Sequence, residues 1–206
     1  MKRPCWIFLL LGATLLDGCA GSLTPTLTVS SRELHRTAFM RSEMRGQAVG
    51  VFPVHPDPEQ HKAARAVQSA LLKALRERFP QARWIAAQEL EARALAAGAA
   101  QEWNALRRPL WGAKALDRET LDRFATASAV RYLLFPHLLV EQTESSVRLT
   151  LVLSLWDPRS GTLLWQGEGQ GKGQHTVQSL WGPVHLPVSM GKLAQKVADT
   201  LVARMP

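Results

Sequence analysis

The 206-residue sequence predicts one α/β (α+β) domain, with a mixed sheet of about five strands covered by about four helices. Three observations carry that expectation. From Val147 to Leu155 the chain alternates: Val147, Leu149, Leu151, Leu153 and Leu155 fall on one side, Arg148, Thr150 and Ser154 on the other. A period of two belongs to a strand with one buried face. Ala64, Val67, Leu71, Leu75 and Phe79 instead recur at helical spacing, as one packed stripe does. The order then reads βαβααβββα, which combines parallel crossovers with an antiparallel meander.

Element by element, Ala48 to Val54 is a short apolar run bounded by turn residues, read as a buried strand. Asp57, Pro58 and Gln60 suit the cap, first position and capping-box partner of the next helix, which Pro80 stops. Arg83-Trp84-Ile85-Ala86 is a short strand. Residues 88–107 are rich in Ala, Glu, Leu and Arg, strong helix formers, with Gly98 as a break point. Asn104 to Lys114 reads as a loop. Asp117 caps a helix whose inner face is Leu121, Phe124, Ala125 and Ser128, with Leu116 stapled onto Leu121. Tyr132 to Val140 is nearly all apolar, as a central strand is. Asp157-Pro158-Arg159-Ser160-Gly161 is a turn, and Thr162 to Gly169 returns as a strand. Residues 170–188 read as a Gly-rich loop, and Leu193, Val197 and Leu201 mark a final helix.

The N-terminus has a different character. Lys2-Arg3 precedes an apolar run from Trp6 to Leu16, then Leu16-Asp17-Gly18-Cys19. A basic start with a short apolar core is a secretory signal, too short to span a bilayer as a helix. Leu16-Asp17-Gly18-Cys19 resembles the bacterial lipobox, with Asp17 departing from its usual small uncharged residue. The resemblance implies cleavage between Gly18 and Cys19, a diacylglycerol on the Cys19 sulfur, and acylation of the new amino terminus. Several acyl chains make a lasting anchor where one does not. Ala20 is not the aspartate that retains many such lipoproteins at the inner membrane, so the resemblance implies the outer membrane, facing the periplasm. The expected organisation is a signal peptide over residues 1–18, a lipidated terminus and short tether over 19–46, and the folded domain over 47–206.

Within that domain, the chain resembles the periplasmic lipoproteins of the CsgG/LpoB type and the N-terminal domain of TolB. The matching pieces are Val51-Phe52-Pro53-Val54, Ala129 to Leu134 entering a strand, the hairpin Leu153 to Trp165, and the helix Leu193 to Met205. Pro136 stands where the family usually has Gly, and proline in a strand implies a bulge or an edge. The resemblance implies a non-enzymatic accessory or docking subunit of a secretion, polysaccharide or peptidoglycan machine. The alternative is a lipid- or glycan-binding periplasmic module.

Composition narrows the chemistry. Of the two cysteines, Cys5 leaves with the signal and Cys19 takes lipid, which excludes cysteine catalysis. His35, His55, His61, His137, His175 and His185 match no metal-ligand spacing. Gly167 to Gly173 contains Gly-Lys, but Gly173 follows Lys172 where a phosphate-binding loop needs Ser or Thr. No nucleophile elbow is present, so neither enzyme activity nor a cofactor is expected. The net charge of +8 includes no basic run longer than Arg107-Arg108 in the domain, and an exported protein does not meet nucleic acid. The candidate partner-binding residues are Trp111, Trp181, His185, Arg107 and Arg108. They lie in or beside the loops 104–114 and 170–188, where tryptophan and arginine are frequent anchors.

Overall fold

A computed structural model describes residues 25–54, 61–107, 116–179 and 182–206. In chain order the elements are β1 (Leu27–Arg36), a 3-10 turn (Arg41–Met44), β2 (Ala48–Val51), α1 (His61–Arg78), β3 (Arg83–Ile85), α2 (Ala87–Ala96), α3 (Ala100–Leu106), α4 (Arg118–Ala127), β4 (Tyr132–Gln142), β5 (Ser146–Asp157), β6 (Thr162–Gln174), β7 (Thr176–Ser179), β8 (Gly182–His185) and α5 (Met190–Val202). Six strands form one sheet in the order β1-β6-β5-β4-β2-β3, and β7 and β8 form a separate hairpin. β2 runs parallel to β3 and β4, and the other neighbours are antiparallel. This is the mixed α/β sheet the sequence predicts.

Each face of the sheet has its own core. On one, α1 and α5 cover Val49, Val51, Leu134, Leu138, Trp165 and the alternating row Val147 to Leu155. On the other, α2, α3 and α4 bring Leu90, Trp103, Leu121 and Phe124 against Phe52, Ile85, Leu133 and Phe135. Phe52 stacks on Phe135 at 4.3 Å and on Trp103 at 5.2 Å. The second core stops at β4 and the edge of β5.

Local signals act where expected. The Asp117 carboxylate accepts the Thr120 amide at 2.9 Å and its hydroxyl at 2.7 Å, capping α4. The 88–107 stretch divides at Gly98, whose φ of 78° a residue with a Cβ rarely adopts. The expected cap at Asp57-Pro58 and the start of that helix lie outside the described residues.

Two expectations are corrected, and a third is narrowed to one of its alternatives. The tether assigned to residues 19–46 does not hold from Leu27 onward. Leu27 to Arg36 form β1, an edge strand in register with β6 from Leu27↔Gly173 to Arg36↔Trp165. Its inner face offers only Leu27, Val29 and Ser31, so its buried signal is faint. Second, the 170–188 loop does not begin at Gln170: β6 runs to Gln174, and β7 and β8 follow.

The physical reason lies in Gly167, Gly169, Gly171 and Gly173, which all face inward, the first three beneath α5 and Gly173 beneath Val188. A Cβ on Gly171 would sit 2.5 Å from Val197 Cγ2 and 2.7 Å from Leu193 Cδ1, and one on Gly169 would sit 3.1 Å from both Val197 Cγ1 and Leu201 Cβ. The glycines let the helix settle onto the strand.

Of the bulge or edge expected at Pro136, the structure shows the edge, since β4 and β5 stay in register through Pro136↔Leu153. The Phe52 amide donates to the Leu134 carbonyl, closing the β2–β4 ladder. Pro136, two residues on, turns its missing donor to the same side, beyond the end of β2 at Val51. It therefore sits at a local edge.

Candidate functional site

Cys19 and Gly18, Trp111 and Arg108, and Trp181 lie outside the described residues. Arg107 is exposed and closes α3, donating its amide to the Trp103 carbonyl at 2.9 Å. His185 ends β8 opposite Thr176, exposed on one side and stacked on His175 at 5.4 Å. Arg107 and His185 thus belong to separate elements. Among the described residues no three His, Cys, Asp or Glu side chains gather as a metal site, and no helix is long and apolar enough to cross a membrane.

What the topology does build is an open sheet face. Residues of β1, β6, β5 and β4 that point away from α5 line up in rows. Thr28, Lys172, Arg148 and Glu141 form one row; Ser30, Gln170, Thr150 and Leu139 the next; Arg32, Glu168, Val152 and His137 the third. All of these are exposed or half-buried. This follows from the register: the residues that alternate with the inward glycines and leucines face out and are mostly polar, because α2 to α4 do not extend over this half of the sheet.

The polar groups of the face are mutually organised. Arg32 Nη2 meets Glu168 Oε2 at 3.1 Å, and Gln170 Nε2 donates to Glu168 Oε1 at 2.7 Å. Arg148 Nη1 meets Glu141 Oε2 at 3.0 Å, and Gln166 Nε2 donates to Ser154 Oγ at 2.9 Å. Leu139, 40% exposed, and Val152 form a small apolar centre inside this polar frame. An apolar centre with a polar rim is how protein interfaces are built. Residue type in the sequence points to anchors in loops and not to this surface. Its only signal was the polar half of each alternating strand.

The two ends of the sheet differ. At one end the start of β1, the β4–β5 turn and the β7–β8 hairpin converge. The His175 amide donates to the Ser145 carbonyl at 2.8 Å, and the Gln174 amide to Thr26 at 3.2 Å. At the other end a half-buried ion pair ties β4 to β5. Arg131 Nη1 and Nη2 donate to Asp157 Oδ1 and Oδ2 at 2.5 and 2.7 Å, and the guanidinium lies over the Tyr132 ring. Burial pushes the Asp157 carboxyl up. The Arg131 hydrogen bonds and charge, with the Arg159 and Ser160 amides, outweigh it and hold the group below its usual range. Its hydrogen bond to Asp157 raises Arg131 in turn.

No family model matches the sequence, and no curated protein matches it. Solved structures do show similarity. One, a PelC dodecamer from Paraburkholderia phytofirmans, is 11% identical, covering 85% of this chain and 96% of that one at a TM-score of 0.43. The lipoprotein GNA1162 from Neisseria meningitidis is 16% identical, covering 74% and 96% at 0.45. The LpoB C-terminal domain from Salmonella enterica is 15% identical, covering 62% and 83% at 0.39. All three similarities are distant.

Proposed function

We propose that this chain is a membrane-anchored periplasmic lipoprotein, a non-enzymatic docking subunit of a cell-envelope assembly at the outer membrane. The observation that carries the reading is the closeness of Cys19 to the fold. Residues 20–26 alone separate it from β1, and fully extended they reach about 25 Å. A lipid on Cys19 would therefore hold the hairpin end of the sheet beside its membrane, leaving the open face free at the side for a protein partner.

Two experiments test this. Radioactive palmitate should label the wild-type chain in cells and not a Cys19→Ala variant; label persisting in the variant overturns the anchor. A photo-crosslinking residue at Thr150, in the middle of the open face, should give an adduct of one discrete mass. The same residue at exposed Lys62 on α1 should not. Equal adducts from both positions would remove the open face as the docking surface.

A further inference from the structure

The end of the sheet opposite the hairpin is rich in arginine. Two hollows of about 400 and 370 Å³ adjoin there. Arg41, Arg45 and Phe79 line the first, and Arg83, Arg131 and Arg159 the second. The strip of residues 45–48 runs between them. It is pinned on one side by the Gly46 amide donating to the Gln81 carbonyl and the Arg83 amide to Gln47, and on the other by the Arg131 amide donating to Ala48. Arg118 extends the line, its Nε donating to the Arg159 carbonyl at 2.9 Å.

The acidic groups nearby are few and mostly engaged. Asp157 is held by Arg131, and Glu43 accepts the Met40 amide. Asp122 is the carboxylate that lines the second hollow. Arg45, Arg83 and Arg159 are exposed and have no ion pair among the described residues. They are far apart in sequence, so only the fold assembles them. Three unneutralised guanidiniums in a row cost electrostatic repulsion, which an anion would relieve.

We propose that this arginine end binds an anionic polysaccharide bearing carboxylates. An extended ligand fits better than a compact one, because the arginines are divided between two hollows, Arg45 in the first and Arg83 and Arg159 in the second. A planar guanidinium pairs with a carboxylate through two parallel hydrogen bonds. This deepens the envelope reading and rests on it for orientation: the arginine end points away from the membrane that would hold Cys19, toward polymer and not toward the anchoring lipid.

The test uses the full chain carrying Cys19→Ala, so the outcome is independent of lipidation and separable from the palmitate experiment. Binding is measured to polygalacturonate, to its methyl-esterified and uncharged form, and to vesicles containing phosphatidylglycerol. The acid polymer should bind and the ester should not. Replacing Arg45, Arg83 and Arg159 together with Ala should weaken binding by about tenfold or more. Replacing Lys62, Arg65 and Lys192, which are exposed on α1 and α5, should change it less than about threefold. Equal losses in the two triple variants, equal binding of acid and ester, or a preference for the vesicles would each overturn the proposal. The comparison of acid with ester decides it even should the arginine variant fold poorly.

Discussion

The two faces of β6 are built from alternate residues of one strand and serve opposite ends. Inward, Gly167, Gly169 and Gly171 give up every side chain so that Leu193, Val197 and Leu201 of α5 can close upon the backbone, and Gly173 does the same for Val188. Outward, Gln166, Glu168, Gln170 and Lys172 carry polar side chains, paired with neighbours on β1 and β5 or free in solvent. One face is specified by volume and the other by charge and hydrogen bonding. Packing inside a core is unforgiving of a single methyl group, whereas an exposed polar surface tolerates exchange. Stability should therefore depend steeply on the first face and weakly on the second.

Adjacent residues give the sharpest contrast. Gly171→Val should cost about 3 kcal/mol in urea unfolding, because its added carbons overlap Val197 and Leu193 and must push α5 off the sheet. Gln170→Val, one residue earlier and outward, should stay within about 0.5 kcal/mol. Similar losses at both positions would break the comparison.

The half-buried rim should fall between. Asp157→Asn removes the charge from the Arg131 pair, whose side chains are 25% and 15% exposed, and should cost about 1 kcal/mol at pH 7 after solvent screening. Because the folded-state pKa of Asp157 is depressed, its contribution is complete above its ordinary value of 3.8 and is lost as pH falls through the lower folded value. The gap between wild type and variant should accordingly narrow below about pH 4; a gap constant down to pH 3 would contradict the pairing.

The smallest effect belongs to the open face. Arg148→Ala breaks a pair whose side chains are 53% and 67% exposed and should shift stability by less than about 0.5 kcal/mol. Any loss of the Thr150 crosslink in that variant would then report docking and not unfolding.

Much of this fold was legible because its residues state their environment locally. The alternation from Val147 to Leu155, the Asp117 cap and the Gly98 break each act within a few residues of their cause. β1 was hidden because an edge strand with two apolar residues on its inner face resembles a polar tether until β6 is placed beside it. The end of β6 was hidden for the opposite reason. Glycine has low strand preference, and its use depends on a helix some twenty residues later. Its spacing, one in every second position, was the available clue. Of the candidate site, loop tryptophans and Arg107 drew attention by residue type. The open face and the arginine end are made by register, which brings Arg45, Arg83 and Arg159 to one end from three separate segments.

The placement of β1 also sets an order of events. It is the first described strand of the chain, yet its sheet partner is β6, so most of the sequence must be delivered before it has anything to pair with. A contact this distant along the chain is entropically late. The remaining strands can align around β5 while the N-terminal segment is still loose. Docking of β1 then completes the sheet, the last of its edges to close although it stands first in the chain.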